Sequence, residues 1–408
     1  MIWAPLIGQE FVRATLSRNH YFQLVNMLHF DDRAGRRKDL DKFAALCEFH
    51  EKHQENLSKH FVPGPTLTAD EQFVPFRGRC SFLQHMPSKS CKYGLKLFWL
   101  CDAETFYPLK CIPYLGKDDG NLHDEGLNQG TSIVDRLVQP YTSKGRNVTM
   151  SNFFTDMEVV DKLAEKNTTL VGTVRRNKNF LPPPFKVKKQ QVLYSSNFAF
   201  NNETNTMLFS YQSHRNKNVV VLSTMHNERE VADGEKRKPD VLLFYNQTKG
   251  GVDKMDKLAQ TYTTKRASKR WPMVLFYNIL DLSGIAAGVV FKLKNPASKL
   301  CGDDNRADFL RDIAKSLMGA QIRRRNSMLT KASKALRQTM DNCQAATHIH
   351  VLQPAPSALQ EEIRKRKRGR CSMCNWRQQR KGSNKCHVCQ SSLCKEHSII
   401  TCAKCKGQ

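Results

Sequence analysis

TADEQFVPFRGRC, running from Thr68 to Cys80, is the stretch on which the fold turns. It is a β-rich run closed by proline and glycine, and it carries Asp70 in mid-strand. Strand interiors disfavour aspartate, so Asp70 does not read as an ordinary exposed strand residue. Between Thr66 and Val174 the texture repeats: KYGLKLFWLCDA, TFYPLKCIPYLG, RNVTMSNFF and TTLVGTV read as short strands, with helices near Ser132 to Val138 and Met157 to Lys166. Strands alternating with helices predict an α/β sheet domain over residues 66–176.

Outward from this core, apolar residues recur at helical spacing before Phe61 (Phe22, Leu24, Val25, Leu28; Phe43, Leu46, Phe49), so residues 1–65 are read as helical. After LPPPFKVKKQQ, which continues neither a helix nor a central strand, NFAFNNETNTMLFSYQ and NVVVLSTMH read as further short strands. Residues 177–240 are therefore taken as a β-rich insertion. Residues 241–258 return to the core, 259–345 are helical, and 346–370 form a basic linker to a cysteine-rich module at 371–405.

The chain has 408 residues with 65 Lys and Arg against 38 Asp and Glu, a formal charge of +27. That excess exceeds what solubility requires and points to a polyanionic partner, DNA rather than a membrane surface, because the charge is spread through the folded sequence. No secretory leader is legible in MIWAPLIGQEFVRATL. The most apolar window, Met273 to Leu293, has Asn278 and Asp281 in its middle and reads as a buried helix.

Of the 14 cysteines, seven are scattered and seven crowd into the last 38 residues, a pattern of reduced thiols plus a metal site. Four pairs each enclose two residues: Cys371 and Cys374, Cys386 and Cys389, Cys394 and His397, Cys402 and Cys405. Eight such ligands make two tetrahedral Zn²⁺ sites, interleaved (first pair with third, second with fourth) or consecutive. So short a module cannot fold on its own apolar core, whereas structural zinc supplies roughly 10–16 kcal/mol. The run Arg364, Lys365, Arg366, Lys367, Arg368, Arg370, with Arg377, Arg380, Lys381 and Lys385, favours phosphate contacts. The same run reads as a nuclear import signal or a solvated linker, and the expected location is the nucleus.

TADEQFVPFRGRC, YNQTKGGVDKMD from Tyr245, KRWPM from Lys269 and the terminal cysteine pairs together closely resemble the signature segments of piggyBac-family transposases. The resemblance covers nearly the whole chain. It implies a ribonuclease H-like catalytic domain, flanking helices for dimerisation and DNA binding with a longer N-terminal part than is present here, and a C-terminal two-zinc cross-brace. It further implies cut-and-paste transfer of double-stranded DNA, at transposon ends or genomic sites, by three aspartates around two Mg²⁺ ions. Hard Mg²⁺ needs anionic oxygen ligands, and two such ions activate the attacking hydroxyl and stabilise the leaving oxygen.

Asp70 matches the first of these aspartates and Asp253 the third. Asp253 and Asp256 open a helix after Gly250-Gly251, on one face and at the end that favours negative charge. Where the family pattern has V-T-x-D-N-F-F-T-S, this chain reads Val148-Thr149-Met150-Ser151-Asn152-Phe153-Phe154-Thr155-Asp156, so Ser151 stands in the second aspartate's place. Asp256 and Asp156 are the candidate substitutes, although a Thr155–Glu158 capping box would put Asp156 at the first helical position. Trp271 is read either as a stacking platform for a base or as a buried ring beside Pro272. Three readings follow: a transposon-derived DNA-binding homodimer impaired in strand transfer, an active transposase with a substitute ligand, or a chromatin or protein reader built on the zinc module.

Overall fold

A computed structural model describes residues 3, 9–32, 41–116, 127–186, 192–215, 217–298, 300, 305–328, 332–347 and 369–374, with the pairs 381–382, 384–385 and 392–393. In chain order the elements are α1 (Glu10–Thr15), α2 (Arg18–Met27), α3 (Cys47–His60), β1 (Thr66–Pro75), β2 (Gln84–His85), β3 (Tyr93–Asp102), β4 (Pro108–Pro113), α4 (Gln129–Val138), β5 (Asn147–Met150), α5 (Met157–Ala164), β6 (Thr169–Thr173), α6 (Pro183–Lys186), β7 (Ser196–Asn201), β8 (Thr206–His214) and β9 (Lys217–Ser223). There follow α7 (Asp240–Thr248), α8 (Gly251–Thr261), α9 (Trp271–Lys294), α10 (Arg306–Met328), α11 (Lys334–Thr347) and four two-residue strands, β10 (Gly369–Arg370), β11 (Lys381–Gly382), β12 (Asn384–Lys385) and β13 (Ser392–Leu393). The chain divides into two compact units, residues 21–311 and residues 1–20 with 312–408.

The larger unit is an α/β fold on a nine-stranded mixed sheet of order β2-β3-β1-β5-β6-β9-β8-β7, with β4 also paired to β3. β3 is apolar along most of its length, as suits a strand buried on both faces, and pairs antiparallel with β1 from Leu67↔Asp102 to Pro75↔Gly94. β1, β5 and β6 are parallel neighbours. Alternate residues separate the two faces: Leu170 of β6 joins the cluster containing Val159, Val160 and Leu163 of α5, whereas Val171 joins Val241, Leu242 and Tyr245 of α7.

The segment read as an insertion is not separate from the sheet. β9 pairs antiparallel with β6 (Val171↔Ser223, Thr173↔Val221), and β8 and β7 extend the same sheet outward. Their inner residues Met207, Phe209 and Val221 complete the apolar surface under α7, so burial drives them onto the sheet edge.

α9 is long and apolar enough by composition to cross a membrane. Here Val274, Leu275, Ile279, Leu282 and Ile285 pack into the main core. Both of its central polar residues are engaged: Asn278 with Gln72, and Asp281 with Thr263 and Thr264. Just before α9, the Arg270 guanidinium donates to the carbonyls of Val25, Asn26 and Leu28, which end α2. α3 lays His53 and Leu57 inward, and Phe30, Phe49 and Phe276 form an aromatic cluster.

In the smaller unit α1 packs with α10 and α11 through Ala14, Ile322, Met340 and Cys343, and Arg325 donates to the carbonyls of Arg13 and Ala14. The helical segment drawn at residues 1–65 is thus divided: α1 belongs with the late helices, and α3 with the sheet.

Candidate active site

Register fixes the site. Ala69 of β1 pairs with Met150 of β5, and Met150 with Gly172 of β6. One residue further along, Asp70, Ser151 and Thr173 therefore stand level across three neighbouring strands. In β1 the period of two puts Thr68, Asp70 and Gln72 on one face, the face that α8 covers.

Hydroxyls clamp the α7–α8 corner to that face: Thr68 Oγ1 donates to the Thr248 carbonyl at 2.6 Å, and the Thr149 and Thr248 hydroxyls lie 2.8 Å apart. Gly251 makes the close approach possible, because a Cβ there would come within 2.6 Å of Thr68 Oγ1. α8 then starts directly over β1, and Asp253 in its first turn comes close enough to Asp70 for their charges to repel.

Burial pushes the Asp70 carboxyl up to about 6, and the negative charges of Glu71 and Asp253 push the same way. Opposing this, the Glu71 backbone N–H donates to Asp70 at 2.8 Å, and the Ser151 hydroxyl acts in the same direction. Glu71 itself points to the other face, ion-paired with Lys96 at 3.1 Å. Among the described residues neither Asp70 nor Asp253 has a salt-bridge partner; the nearby ammonium groups of Lys254 and Lys249 lie over the rings of Phe106 and Tyr245. Two crowded carboxylates without a counter-charge fit a divalent cation, although no group of three or more His, Cys, Asp or Glu suited to a metal occurs among the described residues.

Asp256 sits one turn beyond Asp253 and is otherwise employed. Its two carboxylate oxygens accept from Gln72 Nε2 and Gln260 Nε2, each at 2.8 Å, and Gln72 in turn accepts from the Trp99 indole and from Asn278. Asp156 departs from the capping-box expectation: it is itself the N-cap of α5, accepting from the Met157 N–H at 2.8 Å, and it is ion-paired with Lys178. Glu158 reaches instead to Asn128 and Thr131 at the start of α4, and Thr155 Oγ1 donates to the Ser151 carbonyl. Of the two readings of Trp271, the structure shows a ring packed within the protein, stacked on Phe43 at 5.6 Å and edge-on to Phe82 at 5.0 Å.

Sequence reasoning missed Thr173 and Tyr245. The Tyr245 hydroxyl lies 3.3 Å from Thr173 Oγ1, and burial together with the charges of Asp70 and Asp253 holds its pKa up. Tyr245 was in view only as part of the motif YNQTKGG; its partner lies on a strand 72 residues away.

Of the cysteine module, Cys371 and Cys374 are described. The Cys374 N–H donates to the Cys371 carbonyl at 3.4 Å in a tight turn between the two, and Arg370 pairs with Lys381 across β10 and β11. Cys386, Cys389, Cys394, His397, Cys402 and Cys405, with Arg364, Lys365, Arg366, Lys367, Arg368, Arg377 and Arg380, lie outside the described residues.

Residues 1–287 match the protein-family profile described as "Transposase IS4". The chain is 27% identical over 280 residues to human PiggyBac transposable element-derived protein 3, covering 65% of this chain and 46% of that one, and 20% identical over 300 residues to human PiggyBac transposable element-derived protein 2, covering 69% and 50%. It thus spans about half the length of these curated relatives. Its structure is similar to that of a piggyBac transposase solved by cryo-EM as a synaptic complex with hairpin DNA, with a TM-score of 0.77, 29% identity and coverage of 99% of this chain and 82% of that one.

Proposed function

The chain belongs to the piggyBac transposase family, and from that premise we propose that it is a transposon-derived, DNA-binding protein whose strand-transfer chemistry is impaired at Ser151. The observation that carries the reading is the row Asp70–Ser151: one residue beyond the Ala69–Met150 pair, a neutral hydroxyl stands level with Asp70 where a carboxylate would complete the set with Asp253. The order β4-β3-β1-β5-β6, antiparallel in its first three strands and parallel in its last three, supports a ribonuclease H-like core continued by β9, β8 and β7.

Asp70 and Asp253 would hold a divalent cation, which when bound would activate an attacking hydroxyl and stabilise the leaving oxygen of a phosphodiester. Ser151 adds one weak neutral ligand. The engagement of Asp156 with Lys178, and of Asp256 with Gln72 and Gln260, speaks against either as a ready substitute. Loss of even an outer partner costs metal sites about 10–100-fold, so loss of a carboxylate costs more. The reading extends to double-stranded DNA as partner, a homodimeric state, two structural zinc ions in the cysteine module and a nuclear location. It is supported by the +27 charge and by the DNA complex of the similar transposase.

The test is strand cleavage and joining by the purified protein on supercoiled DNA bearing its element's terminal repeats, with Mg²⁺, beside Ser151→Asp and Asp70→Ala. Silence in the wild type with Asp70-dependent activity in Ser151→Asp is the expected result. Cleavage by the wild type would sink the reading and mean that another residue completes the metal cage.

A further inference from the structure

The side of the site away from β3 is lined by hydroxyls. Ser151 and Thr173 follow Asp70 across the sheet, and Tyr245 reaches Thr173 from α7. The Tyr245 ring is buried in the cluster with Val171, Met207 and Val241, so its position is set by packing and its hydroxyl is carried to Thr173 on a rigid stem.

Among the described residues the hydrogen-bond partner of that hydroxyl is Thr173, at 3.3 Å. A phenol has one proton to donate and lone pairs to accept, and a threonine hydroxyl has the same, so the pair keeps hydrogen-bonding capacity toward the space beside Asp70. Mg²⁺ or Mn²⁺ at Asp70 and Asp253 must fill an octahedron of oxygens, and two carboxylates leave most of it to water. Waters on the β6 side would face this hydroxyl row.

We propose that Thr173 and Tyr245 are positioning residues of a divalent-cation site, holding in place the waters of an ion that Asp70 and Asp253 ligate directly. This rests on the reading of the site as a surviving metal site and specifies what takes over the coordination that Ser151 cannot supply. Burial, followed by the charges of Asp70 and Asp253, keeps the phenol protonated and therefore able to donate.

The experiment is Mn²⁺ binding to the metal-stripped full chain, followed by the electron paramagnetic resonance of free Mn²⁺. Wild type is compared with Tyr245→Phe, Thr173→Val, Thr173→Ser, Ser151→Asp and Asp70→Asn, with metal-free melting temperatures measured alongside. Zinc is restored first, so that the cysteine module does not take up Mn²⁺. The expected pattern is an Asp70-dependent site that Ser151→Asp tightens. Tyr245→Phe and Thr173→Val should each weaken it about 10-fold, the scale for outer-shell partners, with Thr173→Ser close to wild type. Should Tyr245→Phe also melt early, the contrast between Thr173→Val and Thr173→Ser decides, because a packing role follows side-chain shape and a water-holding role follows the hydroxyl. Asp70-dependent binding that is indifferent to Tyr245→Phe and Thr173→Val overturns the proposal and leaves the metal site standing. Absence of Asp70-dependent binding in both wild type and Ser151→Asp overturns the proposal and the metal site together.

Discussion

Two aspartates in the larger unit are treated in opposite ways. Asp281, 7% exposed in the middle of α9, accepts from Thr263 Oγ1 at 2.6 Å, the Thr264 N–H at 2.7 Å and Thr264 Oγ1 at 2.8 Å, fixing the turn between α8 and α9. Asp70 accepts from one neighbouring N–H, and faces the like charge of Asp253. A buried carboxylate that serves the fold is surrounded by donors, whereas one that serves a site is left under-supplied and ready for a ligand.

The largest expected effect lies on the structural side. Asp281→Ala strands three donors and should cost about 3–4 kcal/mol in urea unfolding. A loss under about 1 kcal/mol would break the contrast.

Next in size is the acid limb. Burial holds His50 and His53 down to about 4, and among the described residues no partner meets either nitrogen of His53. The unfolded chain takes up their protons below about pH 6.5 while the folded chain does not, so stability falls as pH drops from 6.5 toward 4. His53→Leu should remove on the order of 2 kcal/mol of that slope, read from melts across the window.

Asp70 has the opposite sign. Its carboxyl is raised, so the folded state holds the proton longer than the unfolded one, and its contribution to stability is greatest below about pH 4 and lost as pH rises through about 6. Asp70→Asn should therefore stabilise the metal-free protein by about 1–2 kcal/mol at pH 7.5, allowing for solvent screening at a partly exposed group, and by nothing measurable at pH 4. A destabilised Asp70→Asn at pH 7.5 would place Asp70 in the same class as Asp281.

What could be read in advance follows from the range of the forces involved. β1, β3, β5 and β6 were legible because apolar runs bounded by glycine and proline are local signals, and Asp70 and Asp253 were legible because resemblance names them. The start of α5 was misread by one residue, since Thr155 and Asp156 are both good caps and only the fold shows that Thr155 is spent on the Ser151 carbonyl. That the strands β7 to β9 of the inserted segment extend the sheet was not legible, because nothing in their own sequence says that Val221 lies beside Thr173. Thr173 and Tyr245 stayed hidden for the same reason, being neighbours only through strand register and the packing of α7.

The Arg270 guanidinium bears on how the chain folds as it is made. It closes the carboxyl end of α2 from 242 to 245 residues downstream. At about 5–20 residues per second of synthesis, the last turn of α2 waits roughly 12–50 s for its cation. Over that interval Phe22, Leu24 and Met27, which remain exposed even in the finished structure, belong to a helix whose terminal carbonyls have no permanent partner. Nascent chains arrested before residue 270 should then be far better chaperone clients than chains arrested just after it has cleared the ribosome.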